Sequence, residues 1–387
     1  MSKNVLIKEF ENVFHHSCTN LINTGGRFEI CGNHTDHNHG LCLVANCSLR
    51  VRASIAKHET MVRVQSKGYK FFEFPIDNLQ EKVEERGSTL AIAKGILFKL
   101  HELGYKIGGF EAYIESEIPD GSGVSSSAAM ESLFGYIISY LYNDGKISEI
   151  DIAKTGQFSE NVYFHKPCGL LDQIGTSFNS CNSIDFKNIA EPVINTVEFN
   201  LPVQLYLIKS EGNHSNLTPL YKAIPDSMYE VANLLEGKNF LRDVNDENIH
   251  ARIDALDIDR KKKNKAHHFF NENLTVLKAM KAIKESNLEL FFEAIRDSQE
   301  SSMNNLENTF VEGEYVDSPQ NIIDDVNAFI GTNGAIRIHG GGFKGTVLAF
   351  IKKDFCEKFE EFLASKYDAS RYFKVSISSK AVEFERL

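Results

Sequence analysis

The stretch Ile118-Pro119-Asp120-Gly121-Ser122-Gly123-Val124-Ser125-Ser126-Ser127-Ala128-Ala129 lies between a predicted strand and a predicted helix. Its glycines let backbone amides turn inward without a side-chain clash. The first turn of the helix carries unpaired N–H groups and a partial positive charge. The stretch therefore predicts a nest for phosphate oxygens, with serine hydroxyls suited to binding oxygens or Mg²⁺.

An N-capped helix after a glycine turn is the structural alternative for this stretch. It is not a Walker loop, because no Gly-Lys-Ser/Thr follows, and its glycine spacing differs from that of a dinucleotide-binding fingerprint. The Gly-x-Gly-x-Ser-Ser-Ser-Ala-Ala run favours phosphate binding. The residues predicted to contact a nucleotide are Gly121, Ser122, Gly123, Ser125, Ser126, Ser127 and Ala128.

Hydrophobic periodicity outside this stretch predicts an α+β fold with strands and helices in both halves of the chain. We place a domain change near 190–205, which gives domains 1–200 and 201–387. The predicted strands lie within 27–74, 110–118, 194–209, 335–339, 346–351 and 372–378. The predicted helices are 88–104, 125–142, 147–164, 217–235, 271–295 and 354–367.

The bulk composition limits the partners and the compartment. Lys and Arg number 42 against 53 Asp and Glu, a net charge of −11, so nucleic acid is not an expected partner. No apolar run approaches the ~18 residues of a membrane span, and the amino terminus lacks the apolar core of a signal peptide. The seven cysteines contain no C-x-x-C pair, which favours reduced thiols. We expect a cytoplasmic protein without a membrane partner.

A histidine-rich loop, GGRFEICGNHTDHNHG at 25–40, allows three interpretations: a metal site, a polar loop without a task, or a pocket for a hydroxylated ligand. A metal site needs several ligands that converge on one ion. In an extended stretch, His37 and His39 would share one face, and His34 and Asp36 the other, which disfavours the metal. Fixed Asp, His and Asn side chains suit the hydroxyls of a sugar.

Three segments together resemble the GHMP kinases, and galactokinase most closely. They are Gly26-Arg27…Gly32-Asn33-His34-Thr35-Asp36, the phosphate stretch 119–129, and Ile338-His339-Gly340-Gly341-Gly342-Phe343-Lys344-Gly345-Thr346. Residues 160–173 and the set His214-Ser215…Leu217…Tyr221 are also similar to galactokinase. The resemblance implies a two-domain fold with a ribosomal-protein-like amino-terminal domain, a ferredoxin-like carboxyl-terminal domain and an active site between them.

The same resemblance implies the cosubstrates, the reaction and the roles of individual residues. ATP and Mg²⁺ would be used to phosphorylate galactose on its anomeric oxygen, by a monomer or weak homodimer. Asp172 would accept the hydroxyl proton or orient the hydroxyl for attack on the γ-phosphorus, with Arg27 as its charge partner. Ser127 and Glu160 would bind Mg²⁺. The residues implied in sugar binding are Asn33, His34, Asp36, Gly169 and Tyr221.

We call residues 26–37 the sugar motif and Ile338–Thr346 the third motif. The departures from the galactokinase pattern cluster in the sugar motif. Glu29 stands where the family usually has Asn, Asn33 where it has Glu, and His37 where it has Tyr. Because Asn33 occupies the position of a Glu that helps hold the primary hydroxyl, we expect a galactose-like sugar altered at or near that end, or weaker discrimination for galactose. A related sugar such as N-acetylgalactosamine is the alternative substrate. Lys344 replaces a usual glycine, either as a cation near the nucleotide or as a side chain in solvent.

The segment 310–313, Phe-Val-Glu-Gly, also breaks the usual Tyr-Glu-Val-Ser pattern, and the arginines that usually follow Tyr221 are missing. Two other function classes remain open at this point. A non-catalytic sensor of galactose and ATP is disfavoured by the intact run 125–129 and by Asp172. A kinase for a non-sugar alcohol is disfavoured by Arg27, His34, Asp36 and Tyr221.

Overall fold

A computed structural model describes residues 3–211, 217–316 and 318–387, so His214 and Ser215 lie outside the described residues. The α-helices are α1 (Lys3–Phe14), α2 (Thr89–Glu102), α3 (Ser126–Tyr142), α4 (Glu149–Phe158), α5 (Leu171–Ser177), α6 (Thr218–Glu236), α7 (Ile249–Asp254), α8 (Arg260–Lys284), α9 (Leu288–Ser301), α10 (Pro319–Ile330) and α11 (Cys356–Lys366). The strands are β1 (Asn20–Cys31), β2 (Leu41–His58), β3 (Met61–Ser66), β4 (Phe72–Pro75), β5 (Gly109–Ser116), β6 (Cys181–Asp185), β7 (Val193–Val197), β8 (Val203–Lys209), β9 (Gly334–His339), β10 (Thr346–Lys352), β11 (Tyr372–Val375) and β12 (Val382–Arg386).

The strands form two sheets, and the α+β prediction is confirmed. The first sheet has the order β12-β1-β2-β5-β3-β4, with β6 paired to β2 and β7 paired to β6. The second sheet is antiparallel, in the order β11-β8-β10-β9. The boundary expected at 200/201 falls between the two sheets. The final strand β12, however, returns to the first sheet and pairs with β1, so the carboxyl-terminal half contributes to both.

Side chains of the second sheet alternate between two cores. Tyr206 and Ile208 of β8 pack in a core with α10 and α11, whereas Leu205 and Leu207 join the main core of the first sheet. This period of two is expected for a sheet that is covered on both faces. The main core therefore runs from one sheet into the other, and this shared packing fixes the position of the loops between them.

Several elements differ from the sequence predictions for local reasons. The amino-terminal helix α1 was not predicted, although its buried Leu6, Phe10 and Phe14 recur every four residues. The helix predicted at 271–295 is two helices, because Ser286 has a positive φ of 52° and ends α8. The helix predicted at 147–164 becomes α4 followed by a π-helical turn, Ser159–Phe164.

The described helices do not include one long and apolar enough to cross a membrane.

Candidate active site

A cleft of about 280 Å³ opens where the loop after β1, the start of α5 and the β9–β10 hairpin meet. We call this feature the cleft. It is lined by residues from two of the sequence motifs and from the segment before α5, including Arg27, His34, Asp36, Gly169, Asp172 and Gly341. The phosphate stretch 119–129 reaches the cleft through hydrogen bonds to Arg27 and Asp172.

The strand alternation of β1 explains how Arg27 reaches the cleft. Phe28 and Ile30 are buried in the main core, and Arg27 and Glu29 point the other way into the cleft. Register shifts in the pairing of β1 with β2 lie between Gly25 and Arg27 and between Glu29 and Cys31. Such irregularities re-aim side chains. This alternation was the sequence signal that could have placed Glu29 beside Arg27.

Arg27 holds Asp172 from one side. Its Nε and Nη2 donate to Oδ1 of Asp172 at 2.9 and 2.8 Å, and its Nη1 donates to the carbonyl oxygen of Gly123 at 2.6 Å. The Arg27 side chain is 7% exposed and that of Asp172 is 39% exposed. The guanidinium is therefore fixed, while the carboxylate faces the cleft.

Ser125 holds Asp172 from the other side. Its hydroxyl donates to Oδ2 of Asp172 at 2.5 Å. Ser125 precedes the first residue of α3 and has a positive φ of 57°, an uncommon conformation for a non-glycine residue. The Ser125 hydroxyl is hydrogen-bonded to the Asp172 carboxylate, whereas Ser126 and Ser127 are exposed in the first turn of α3.

The phosphate stretch packs so closely against its neighbours that there is no room for a Cβ atom at Gly123, or at Gly26 opposite Val124. Gly123 has a φ of +73°, and a Cβ there would lie 2.7 Å from Oγ1 of Thr346. A Cβ on Gly26 would lie 2.5 Å from the carbonyl oxygen of Val124. Gly121 also has a positive φ. Glycines therefore allow the sugar motif and the third motif to approach the phosphate stretch.

One chain of hydrogen bonds joins all three motifs. The backbone N–H of Glu29 donates to Nε2 of His339 at 3.1 Å, so Nδ1 of His339 carries the proton and faces Oγ1 of Thr346 at 3.3 Å. That hydroxyl donates to the carbonyl oxygen of Ser122 at 3.1 Å. Burial, with smaller contributions from Arg27 and Arg337, holds the pKa of His339 well below its usual range, so the ring is neutral.

The histidine loop is not extended. Asp36–Asn38 form a 3₁₀ turn, so His34 and His37 are neighbours with ring centroids 5.6 Å apart, while His39 stacks on Phe240 at 3.8 Å. The expectation that His37 and His39 share a face is therefore wrong. Among the described residues, no three His, Cys, Asp or Glu side chains are grouped to hold a metal ion.

His34 and Asp36 both line the cleft. Nε2 of His34 donates to the carbonyl oxygen of Gly341 at 3.0 Å. Burial raises the pKa of Asp36, and the nearby His34 partly opposes that effect. A Cβ on Gly169 would lie 3.0 Å from Oδ2 of Asp36, so a glycine keeps this carboxylate accessible.

Asn33 uses its whole amide within the protein. It is fully buried, its Nδ2 donates to Oε1 of Glu29 and to the carbonyl oxygen of Gly340, both at 2.7 Å, and its Oδ1 accepts from Asn308 at 2.8 Å. Asn308 also donates to the carbonyl oxygen of Gly341 at 3.3 Å. The amide of Asn33 thus ties the sugar motif to the third motif, although the residue lies at the wall of the cleft.

Two buried residues of α8 support this loop from beneath and were missed by sequence reasoning. Oε1 of Glu272 accepts from the backbone N–H groups of Gly32 and Asn33 at 2.8 and 3.3 Å and from Ser298 at 2.6 Å. His268 contacts the carbonyl oxygen of Asn33 at 2.8 Å. Both lie more than 230 residues along the chain from the Gly32 and Asn33 groups that they bind, so no local pattern points to them.

Tyr221 and Lys344 pack around the third motif. The Tyr221 hydroxyl donates to the carbonyl oxygen of Gly342 at 3.0 Å, and its ring lies where a Cβ of Gly341 would be. It is not among the described residues that line the cleft. Lys344 pairs with Glu314 at 2.6 Å and its side chain is 16% exposed, so the lysine is neither free in solvent nor unpartnered.

Glu160 lies in the π-helical turn and is 4% exposed. Its Oε1 contacts Lys166 at 2.9 Å, and its Oε2 accepts from Gln173 at 3.1 Å. Gln173 also donates to Glu131, one turn after Ser127 on α3, at 3.0 Å. Burial and the charge of Glu160 raise the pKa of Glu131 well above its usual range. Gln173 therefore links the carboxylates of Glu160 and Glu131.

Comparisons with known proteins identify two matched regions and a shared fold. The GHMP kinases N terminal domain matches residues 91–180, and the galactokinase galactose-binding signature matches residues 8–57. The structure of Lactococcus lactis galactokinase complexed with galactose is similar with a TM-score of 0.80 and 22% identity, over 99% of this chain and 99% of that one.

More distant structures share the fold. Mevalonate kinase of Methanococcus jannaschii has a TM-score of 0.66 and 16% identity, over 92% of this chain and 98% of that one. Mevalonate diphosphate decarboxylase of Staphylococcus aureus has a TM-score of 0.61 and 8% identity, over 95% and 98%. Because the fold also supports a decarboxylase, the reaction has to be argued from the site. Two regions of the chain therefore match models of the GHMP kinases N terminal domain and of the galactokinase galactose-binding signature, and the fold is similar to that of galactokinase.

Proposed function

We propose that this protein is an ATP-dependent sugar kinase that phosphorylates the anomeric hydroxyl of galactose and releases galactose 1-phosphate and ADP. The observation that carries the proposal is the position of Asp172. Its carboxylate is held by Arg27 and by Ser125 of the phosphate stretch, and it faces a cleft lined by polar side chains. A nucleotide phosphate on that stretch and a sugar in the cleft would meet at this carboxylate.

Phosphoryl transfer depends on positioning and on charge stabilisation more than on covalent chemistry by the protein. The sugar hydroxyl would give its proton to Asp172 as its oxygen forms the bond to the γ-phosphorus, and the bond from that phosphorus to the ADP oxygen would break. A positioned carboxylate contributes about 10²- to 10⁴-fold to such a step. Arg27 fixes the carboxylate and lies beside the phosphate stretch, where it can also neutralise charge on the transferred group.

The phosphate stretch supplies the nucleotide site in this proposal. The exposed first turn of α3 offers unpaired N–H groups and the hydroxyls of Ser126 and Ser127. Ser127 and Glu160 would provide hard oxygen donors of the kind that Mg²⁺ prefers, with Glu160 paired with Lys166 and Gln173 in this structure. When bound, Mg²⁺ would neutralise phosphate charge.

The cleft supplies the sugar site. Asp36 offers a carboxylate, His34 a ring held by Gly341, and Gly169 an unobstructed backbone. Such fixed donors and acceptors suit a polyol. The matched galactose-binding signature, and the galactose named for the lactococcal relative, support galactose as the first substrate to test.

The direct test measures ADP release with galactose, N-acetylgalactosamine, galacturonate, arabinose and mannose as acceptors, and identifies the product by phosphorus NMR. We expect galactose to give an anomeric phosphate. A preference for N-acetylgalactosamine would keep the reaction and change the acceptor. Sugar and ATP binding without ADP release from any sugar would identify a sensor and contradict the proposed activity.

A further inference from the structure

One side chain in the cleft has a charged atom that the protein leaves without a partner. Glu29 is 6% exposed, and its Oε1 accepts from Asn33 at 2.7 Å and from Arg337 at 3.4 Å. Its Oε2 has no partner among the described residues, although the residue lines the cleft. Oε2 is not among the fully buried, unpartnered side-chain atoms of the described residues, so it can be reached from the cleft, where a ligand can supply the donor.

The scaffold around Glu29 holds this carboxylate in one orientation. Arg337 is fully buried on β9, and its Nη1 also donates to the backbone carbonyls of Glu29 and Ile30 at 3.0 and 3.2 Å. Asn33 is held in turn by Gly340 and Asn308. Asn33 and Arg337 contact only Oε1 and the backbone of this segment, so they hold the carboxylate in place and leave Oε2 free toward the cleft.

A second unused polar atom lies in the same cleft. The backbone N–H of Leu241 donates to Oδ1 of Asn38 at 3.0 Å, which fixes the orientation of that amide. Its Nδ2 therefore donates to Nδ1 of His37 at 3.1 Å. Burial holds the pKa of His37 well below its usual range, so the ring is neutral. Because Nδ1 accepts the hydrogen bond from Asn38, the single ring proton lies on Nε2. That Nε2 is buried without a partner among the described residues.

The wall of the cleft thus holds an unused acceptor at Glu29 and, at His37, a buried donor without a partner among the described residues. Hydroxyl groups can satisfy both atoms, because each hydroxyl donates one hydrogen bond and accepts others. Charge narrows the class of ligand further. Asp36 and Asp172 also line the cleft, and the cation Arg27 is already paired with Asp172. A carboxylate or phosphate on the sugar would add a further negative charge beside these groups.

We propose that Oε2 of Glu29 binds a hydroxyl of the sugar other than the reacting one, and that Glu29 thereby selects a neutral hexose over a uronic acid, a sugar phosphate or a deoxy sugar. Glu29 is then a substrate-binding and specificity-determining residue, and Asn33 is the group that orients it. This inference rests on the proposed sugar kinase function, and it assigns to Glu29 a role that the resemblance alone would give to position 33.

The test compares wild-type protein with Glu29→Gln, which keeps the shape of the side chain and removes its charge. The acceptors are galactose, galacturonate and the series of monodeoxy galactoses, and sugar binding is also measured by calorimetry without ATP. Glu191→Gln, an exposed glutamate, is the matched control. Melting temperature and ATP affinity of each variant report whether the fold and the nucleotide site are intact.

For wild type, we expect one monodeoxy galactose, and galacturonate, to bind at least about 10-fold more weakly than galactose. For Glu29→Gln, we expect the KM and Kd for galactose to rise about 10- to 100-fold, as for loss of a hydrogen bond to a charged group. Discrimination against that same deoxy sugar should disappear, while discrimination at the other positions is retained. A general loss of structure would not remove selectivity at one hydroxyl.

Each contrary outcome has a distinct meaning. If galactose is turned over and Glu29→Gln retains wild-type KM and selectivity, the inference is overturned and the proposed function stands. If calorimetry gives the expected pattern but no sugar is phosphorylated, the kinase proposal fails and the assignment of Glu29 holds. Tighter binding of galacturonate than of galactose, or the absence of any sugar binding, overturns the assignment. Should Glu29→Gln fail to fold, the deoxy series on wild type and Glu29→Asp decide the question.

Discussion

Arg27 and Asp172 form a paired contact in which two N–H groups of the guanidinium converge on a single carboxylate oxygen, Oδ1, at 2.9 and 2.8 Å. The other oxygen, Oδ2, carries only the Ser125 hydroxyl among the described residues. The arginine therefore orients the carboxylate without occupying the oxygen that is available to a substrate. Because Arg27 also binds Gly123, a shift in the phosphate stretch would move the carboxylate with it.

The substitution Asp172→Asn should separate binding from turnover. The amide oxygen of the new side chain can keep a contact with Arg27, but the uncharged amide cannot accept the hydroxyl proton. We expect kcat to fall about 10²- to 10⁴-fold with little change in ATP affinity. Single-turnover rates and ATP titration check this result, with the exposed Asp77→Asn as control. Near-normal turnover would remove Asp172 from its proposed role.

Gly123→Ala tests the close approach of the phosphate stretch to the third motif. The alanine methyl group would lie 2.7 Å from Oγ1 of Thr346, and the alanine would also have to adopt the positive φ of this position. Gly68 has a similar φ of +81° with no neighbouring atom within 4 Å, so Gly68→Ala isolates the backbone effect. We expect both variants to lose about 1–2 kcal/mol of stability from φ strain. Only Gly123→Ala should also weaken ATP binding, and equal effects on the ATP KM would contradict this assignment.

The neutral state of His339 predicts a pH dependence of stability. The unfolded chain binds a proton at this residue near the ordinary value of 6.5, whereas burial keeps the folded pKa well below it. Unfolding therefore takes up a proton below that pH, and the contribution of His339 to stability falls as the pH is lowered. As the pH is lowered, the free energy of unfolding should fall less steeply for His339→Gln than for wild type. The two slopes should differ by about 1.4 kcal/mol per pH unit below the unfolded pKa.

Denaturant titrations between neutral and mildly acidic pH measure this difference in slope. His101→Gln, at an exposed position, is the matched control and should follow the wild-type curve. If His339→Gln has the same pH dependence as wild type, protonation of this ring is not coupled to unfolding. A variant that is more pH-sensitive than wild type would reverse the assigned sign.

Lys344→Ala distinguishes the two roles considered for this departure from the family pattern. The lysine pairs with Glu314, whose side chain is 56% exposed, so the contact should contribute at most about 1 kcal/mol to stability. We expect the ATP KM to remain at the wild-type value and Glu314→Ala to give the same small effect. A selective rise in the ATP KM for Lys344→Ala would show instead that its charge acts on the nucleotide.

The sequence predicted the fold class and the motifs well because both depend on local patterns. Glycines and serines before α3, and apolar alternation in β8 and β10, are short-range signals. The extended form assumed for the histidine loop was wrong because the Asp36–Asn38 turn brings His34 beside His37. No propensity argument in the sequence indicated that 3₁₀ turn.

The cleft could be predicted only in part, because its support comes from distant segments. Arg337 and Glu272 hold the sugar motif from more than 230 residues away. In the sequence, Glu29 in place of Asn and Asn33 in place of Glu were two separate departures from the galactokinase pattern. That one hydrogen bond joins the two side chains became apparent only from the fold, since the loop between them brings Asn33 back against β1.

The pairing of β12 with β1 has a consequence for biosynthesis. Asn20 is aligned with Arg386 across this pair, so the strand that carries Arg27 gains its outer neighbour only after more than 350 further residues have been translated. Contacts this distant in sequence raise the contact order and slow folding. During synthesis, the edge of β1 therefore stays open until the ribosome has made nearly the whole described chain. The edge that β12 closes belongs to the strand that positions Arg27, so the pairing of this strand is completed late in folding.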